Sequence, residues 1–381
     1  MKSKESMWNN NDGRLKYRYK GEIIFDDAID HWKNGVCRLL QISEEEGKRW
    51  VEMVPAISIK EYNSNFSELN DEEKILVLKK TTELFFNKTK TRKKNFSSNT
   101  IGPCGHSSSV VYNYTLRSND YFKVVGCKKC QHGWLVKDND KKQVSGNVVY
   151  EKRYFEGKDK GIGYGDYLSQ KNWRIEKARR LIRQLEGMYI YAGLRKIEKP
   201  NVLDVGSGYG FFRKVLNEKG WHHDGVDLSA YAINICEKEF HFTTFKGTIE
   251  EFYEKTNQKY DIITMWDIIE HVDDPIAMLC TVNKLLKKDG ICAIRTPNLM
   301  SIERGVLGDF YYSLKAEHVN YFSPQSILLF VEKADLYPIF LTTESHFFRG
   351  FLGHKVNIFE KLLKGSDIFI VIKKISDERW T

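Results

Sequence analysis

Val202-Leu-Asp-Val-Gly-Ser-Gly-Tyr-Gly210 is a short apolar strand that runs straight into three glycines spaced two apart. The next stretch, residues 211–219, reads as a helix, so the glycines occupy a strand-to-helix turn. Glycine there lets the chain turn sharply and lets a ligand approach backbone that a Cβ would block. In doubly wound folds, loops at the carboxyl ends of strands form the ligand crevice.

A second apolar strand, residues 223–226, ends in Asp227 within Gly225-Val-Asp-Leu-Ser229. An acid about twenty residues past the loop suits bidentate hydrogen bonding to vicinal ribose hydroxyls. The ligand is therefore nucleoside-like. A dinucleotide fingerprint would place glycine at the sixth position counted from Gly206, and that position is Phe211. The spacing is instead Asp-x-Gly-x-Gly-x-Gly, with Asp204 two residues before the first glycine. S-adenosylmethionine has no pyrophosphate to seat on a helix; it has an ammonium that Asp204 would attract directly or through water.

Beyond the strands at 202–205 and 223–226, apolar strands are expected at 260–265, 291–295, 340–343 and 367–372. Helices are expected around 211–219, 229–238, 274–288 and 324–335, and an apolar stripe marks another from Asp166 to about Lys196. Strands alternating with helices give an α/β class: a doubly wound, mostly parallel, Rossmann-like sheet of seven strands. Residues 150–381 hold it. Residues 101–149 form a cysteine/histidine segment, and residues 1–100 an α+β region of unknown role. In that region Tyr19 to Ile29 suits a strand and turn, Asp71 to Phe86 a helix, and the basic run 87–95 an exposed linker.

The chain has 60 Lys+Arg against 51 Asp+Glu, a net +9 that permits an anionic partner without demanding one. No apolar run reaches eighteen residues and the first residues carry no signal-like stretch, so a cytoplasmic protein with no membrane partner is expected. Seven cysteines, an odd count, argue against a disulfide framework.

Residues 150–375 resemble the class I S-adenosylmethionine-dependent methyltransferases. Four stretches carry the resemblance: Val202–Gly210, Gly225–Ser229, Tyr260-Asp-Ile-Ile-Thr-Met-Trp-Asp-Ile-Ile-Glu-His-Val272, and Glu317-His-Val-Asn-Tyr-Phe-Ser-Pro324. The last two resemble the branch that includes sugar and small-molecule methyltransferases. The resemblance implies roles by position. Asp204, Gly206, Ser207, Gly208 and Gly210 would line the methionine and ribose, and Asp227 and Leu228 would hold the ribose. Thr248 and Ile249 would flank the adenine, and Trp266 and Asp267 would close over the sulfonium side. Glu270-His271 would shape the floor of the site. Glu317-His318 would sit in a segment arching over the crevice, with His318 the first candidate for a base and Glu317 and His271 beside it.

Cys104-Gly-His106 precedes Cys127-Lys-Lys-Cys130 by an interval that suits a zinc ribbon, two knuckles each offering two ligands. Relatives in the branch carry two Cys-x-x-Cys pairs at this point, whereas here Ile101 falls where the first cysteine would be. His106 would take over, giving a structural Zn2+ on Cys104, His106, Cys127 and Cys130, or the metal is lost.

The leading expectation is a methyltransferase acting on a small polar acceptor, a sugar, nucleotide-sugar or related metabolite. The alternatives are an RNA or protein methyltransferase using the basic run 87–95 and the ribbon, and a degenerate S-adenosylmethionine-binding scaffold. Nucleic acid is not the favoured partner, and the sequence leaves the oligomeric state unread.

Overall fold

The computed structural model describes residues 15–19, 22–27, 102–106, 114–116, 119–127, 129–137, 150–156, 167–191, 197–301, 304, 313–315, 317–345 and 363–374. The chain divides into two compact units, one of Phe96–Pro297, Tyr312–Leu341 and Ile368–Thr381, the other of Met1–Asn95, Asn298–Tyr311 and Thr342–Asp367. In chain order the strands are β1 (Leu15–Tyr19), β2 (Glu22–Asp27), β3 (Tyr114–Leu116), β4 (Asn119–Gly126), β5 (Gly133–Lys137), β6 (Asn201–Val205), β7 (His222–Asp227), β8 (Phe245–Lys246), β9 (Tyr260–Trp266), β10 (Leu286–Pro297), β11 (Asn320–Tyr321), β12 (Leu336–Glu344) and β13 (Asp367–Lys374). The helices are α1 (Lys152–Glu156), α2 (Lys171–Tyr191), α3 (Phe211–Glu218), α4 (Ala230–Phe240), α5 (Ile249–Lys255), α6 (Pro275–Leu285) and α7 (Pro324–Lys333).

A seven-stranded sheet runs in the order β12-β13-β10-β9-β6-β7-β8, as expected from the alternating pattern. From β10 across to β8 every neighbouring pair is parallel. The chain leaves β6 to build β7 and β8 on one side, then crosses to β9 on the other. That reversal opens a crevice above the carboxyl ends of β6 and β9, the place where doubly wound sheets take ligands. Strands buried on both faces need continuous apolar runs, and Val202, Leu203, Ile262, Ile263, Ile291 and Ile294 supply them. One face is covered by α2 and α3. Ala178, Leu181, Ile182 and Leu185 recur at helical spacing on α2 and pack with Phe212, Val215 and Leu216 of α3 against Val202, Ile262 and Phe369.

The caps follow the sequence closely. Ser229 accepts from the Ala232 amide at the start of α4, Thr248 and Glu251 make a capping box for α5, and Asp274 caps α6 ahead of Pro275. Two boundaries correct the sequence reading. The helix expected to reach residue 288 ends at Leu285, because Leu286 is buried and pairs with Tyr260 as the start of β10. Asp289, at φ +65°, and Gly290 follow it. The helix expected from 166 to 196 spans Lys171–Tyr191.

A second sheet, in the order β11-β5-β4-β3, belongs to the cysteine/histidine segment but ends on a strand from residue 320. β1 and β2 pair antiparallel, with an irregularity between Tyr17 and Arg18; this is a strand pair where one strand and a turn were expected. The expected helix at 71–86, the linker at 87–95 and Ile101 lie outside the described residues. No helix among the described residues is long and apolar enough to cross a membrane.

Candidate active site

The loop after β6 is shaped by its glycines. Gly206, Gly208 and Gly210 have φ of +71°, +53° and +79°, in the left-handed region that side chains resist. A Cβ on Gly206 would lie 2.0 Å from Ile268 Cδ1, and one on Gly210 would lie 2.5 Å from Cys236 Sγ. A Cβ on Gly208 would touch Tyr167 Oη at 3.6 Å, an ordinary contact, so at the middle of the loop only the backbone conformation calls for glycine. The Gly206 and Ser207 amides both donate to the Val226 carbonyl, which ties the loop to β7.

Asp227 ends β7 and braces the same loop. Its Oδ2 accepts from the Gly208 amide at 2.7 Å and its Oδ1 from the Ser229 amide at 2.8 Å. Burial raises its pKa against these bonds. Asp204 is buried at the end of β6, where it accepts from Thr264 Oγ1 at 2.8 Å. Burial pushes Asp204 up to about 7, while the Thr264 bond and the Arg213 charge oppose the rise. Leu228 is exposed. Thr248 spends its hydroxyl on capping α5, and Ile249 is buried.

After β9 the chain makes a second turn over the loop. Trp266 stacks at 8° on Phe369 and meets Phe212 edge-on, so its ring packs against the core. Asp267, at φ +59°, receives both Nε and Nη2 of the buried Arg295. Ile268 then reaches Gly206, and a 3-10 turn over Ile269–His271 follows.

The two Glu-His segments, 47 residues apart, come together. Glu270 is buried and accepts from Thr296 Oγ1 at 2.8 Å. His271 Nδ1 lies 3.0 Å from the Glu317 carbonyl, and a carbonyl can only accept, so Nδ1 carries the proton and Nε2 the lone pair. The His271 and His318 rings meet edge-on at 4.7 Å, and the Glu270 carboxylate lies within 4.8 Å of ring nitrogens of both. Burial pushes His271 down to about 4. Burial, with the neighbouring His271 and Lys315, holds His318 well below its ordinary value. Both are uncharged imidazoles near neutral pH, and His318 Nδ1 is buried without a hydrogen-bond partner. Glu317 is buried beside Lys315, its Oε1 3.6 Å from the ammonium.

An aromatic layer that includes Tyr150, Tyr154, Phe155 and Tyr167 lies against the loop, and the sequence reading does not find it. Tyr154, Phe155, Tyr209, Phe211 and Ala232 share one buried cluster, with Tyr150 and Tyr167 packed on it. Tyr150 spans the two halves of the site. Its carbonyl accepts from Ser229 Oγ beside Asp227, and its ring meets His271 edge-on. The signal for it is the pair of tyrosines four apart in Tyr150-Glu-Lys-Arg-Tyr154. Arg295 and Asn320 were missed too, because their partners lie far off in sequence.

At the cysteine/histidine segment, Cys104, His106, Cys127 and Cys130 bring their ligand atoms within 4.8 Å of one another. The thiols of Cys104 and Cys130 interact with Cys127 and hold its ionisation far below the ordinary thiol value, while their own is raised by the crowding. Gly105, at φ +73°, and Gln131, at φ +60°, make the two left-handed turns of the knuckles.

Residues 173–339 match a family model described as a methyltransferase domain. Curated relatives include the ubiquinone biosynthesis O-methyltransferases of Actinobacillus pleuropneumoniae, 28% identical over 127 residues, and Pasteurella multocida, 28% identical over 124. These alignments take 31% and 29% of this chain and 54% and 51% of the relatives, so the chain spans about half the length of the curated proteins it matches. A solved S-adenosylmethionine-dependent methyltransferase from Archaeoglobus fulgidus aligns over 58% of this chain and 99% of its own at 20% identity, with a TM-score of 0.42. The family match, set on a sheet whose order reverses at β6 under a glycine loop, identifies residues 173–339 as a methyltransferase domain.

Proposed function

We propose that the chain transfers a methyl group from S-adenosylmethionine to a small polar acceptor: a sugar, nucleotide-sugar or related biosynthetic metabolite. One observation carries the reading. A loop of three left-handed glycines, braced by Asp227, lies next to a buried pair of uncharged imidazoles, joined to it through Ile268 and the turn that ends at His271. The curated relatives are O-methyltransferases, which supports an oxygen acceptor. The sugar class rests on the two Glu-His segments.

The residues present fit the cofactor. Gly206, Ser207, Gly208 and Gly210 would line the methionine and ribose, Asp227 and Leu228 would take the ribose, and Thr248 and Ile249 the adenine end. Asp204, Trp266 and Asp267 would hold the methionine and sulfonium side. When bound, S-adenosylmethionine supplies an electrophilic methyl group. The protein's part is then largely positioning. Arg295 fixes Asp267, and Tyr150 braces Asp227's neighbour Ser229 against His271. Held as the Nδ1–H tautomer, His271 packs edge-on against His318. We assign the acceptor's hydroxyl proton to the buried lone pair of His318.

Zn2+ is proposed as a structural ion on Cys104, His106, Cys127 and Cys130. Three thiols and an imidazole in mutual reach suit a closed tetrahedral site with no open position. Purified protein is expected to carry about one zinc per chain, and less than about a tenth would reject the site.

The function is tested by screening nucleotide-sugars and RNA for release of S-adenosylhomocysteine, with calorimetry for cofactor binding. Turnover of a nucleotide-sugar that His318→Ala abolishes is the expected result. Turnover of RNA alone would overturn the acceptor class. Absent cofactor binding would leave a scaffold.

A further inference from the structure

The cysteine/histidine module and the His318 loop share a β-ladder. β11 pairs with β5, Asn320 opposite Trp134 and Tyr321 opposite Gly133, and the Leu135 amide donates to the Val319 carbonyl. Asn320 is where this ladder meets the site. Its Nδ2 lies 2.5 Å from the Val272 carbonyl, which can only accept, so the amide nitrogen faces Val272 and Oδ1 faces the other way. Oδ1 lies 3.0 Å from His132 Nε2, and so His132 carries its proton on Nε2. His132 has no exposed surface and packs against Phe322, Phe330 and Trp134.

Two neighbouring bonds complete the seam. The Val319 amide donates to the Glu270 carbonyl at 2.9 Å, and His271 Nδ1 to the Glu317 carbonyl. Residues 317–320 and 270–272 are thus stitched along the line where the two imidazoles meet. Of these stitches, the Asn320 one is held at its other end by a side chain from the cysteine/histidine module.

We propose that His132 is a positioning residue for the His271/His318 pair, acting through Asn320 and the Val272 carbonyl. Only the kinetic part of its test rests on the methyltransferase reading. His132→Leu keeps bulk and removes the donor, while His132→Gln keeps an amide nitrogen near the place of Nε2. In the full chain, His132→Leu lowers kcat by roughly tenfold or more and leaves the affinity for S-adenosylhomocysteine unchanged, and His132→Gln recovers most of kcat. Ring 15N spectra need no acceptor. They show His271 as a fixed Nδ1–H tautomer in the native chain and in His132→Gln, and averaged tautomers in His132→Leu.

Unchanged kcat and an unchanged His271 spectrum in His132→Leu overturn the proposal. So do losses in both variants that merely track a fall in Tm, since those report space-filling. If His132→Leu does not fold, Asn320→Asp carries the same expectation, because it keeps the shape and the acceptor for His132 but removes the donor to Val272. A chain that methylates nothing fails the function proposed above, and the 15N comparison still decides the role of His132.

Discussion

Gly206 shows how tightly single residues are specified here. Its φ of +71° and the 2.0 Å approach of a Cβ to Ile268 Cδ1 both oppose a side chain. Gly206→Ala is expected to cost about 1–3 kcal/mol in urea denaturation and to abolish S-adenosylhomocysteine binding by calorimetry. Asp227→Ala removes the acceptor for the Gly208 and Ser229 amides. Each amide left unpaired costs about 1–3 kcal/mol, so cofactor affinity should fall at least tenfold, and an unchanged Kd would exclude Asp227 from the site. Both residues were legible because their signals are local: glycine spacing, and an acid at a strand end. Arg295, Asn320 and Tyr150 were not. An arginine inside the apolar strand Ile291–Arg295 gives no hint that Asp267, on the neighbouring strand's exit, is its partner. His318 stood out as a residue type, but its meeting with His271 depends on the fold.

Elements were read well wherever apolar period and cap agreed. Asp274-Pro275 announced α6, and Asp274 Oδ1 accepts from the Ile276 and Ala277 amides. Asp274→Ala is expected to destabilise the chain by about 0.5–2 kcal/mol in denaturant melts, with cofactor binding intact. The far end of α6 was misjudged because Lys287 and Lys288 are good helix formers, while the pull on Leu286 comes from pairing with Tyr260. β8 is two residues long and carries no period of its own, so it was legible only through the resemblance. The knuckles dock on α7: Ser323 Oγ donates to the Cys130 carbonyl, Gln325 Nε2 to that of Lys129, and Lys333 Nζ to that of Cys104. A chelator that strips the proposed zinc should therefore lower Tm for the whole transition, followed by circular dichroism. A Tm indifferent to the chelator would detach the metal from the fold.

For the molecule as a whole, histidines that desolvation keeps uncharged set an acid limit. Burial is the first cause that holds His223 and His271 near 4, whereas each would titrate near 6.5 when unfolded. The unfolded chain then binds more protons, so their contribution to stability is complete above about pH 6.5 and drains away as pH falls toward 4. For His271 the loss approaches roughly 3 kcal/mol as an upper bound. Urea denaturation at stepped pH should show the decline, and His271→Gln should make it shallower; a flat profile across that window would contradict the burial. The sheet formed by β3, β4, β5 and β11 adds a constraint in time. Three of its strands are finished by residue 137, and the fourth, Asn320–Tyr321, is made some 180 residues later. During synthesis the open edge of β5 waits while almost the entire parallel sheet is translated. A nascent chain stalled before residue 320 would present that edge to other chains, a template for aggregation that only the last sixth of the protein closes.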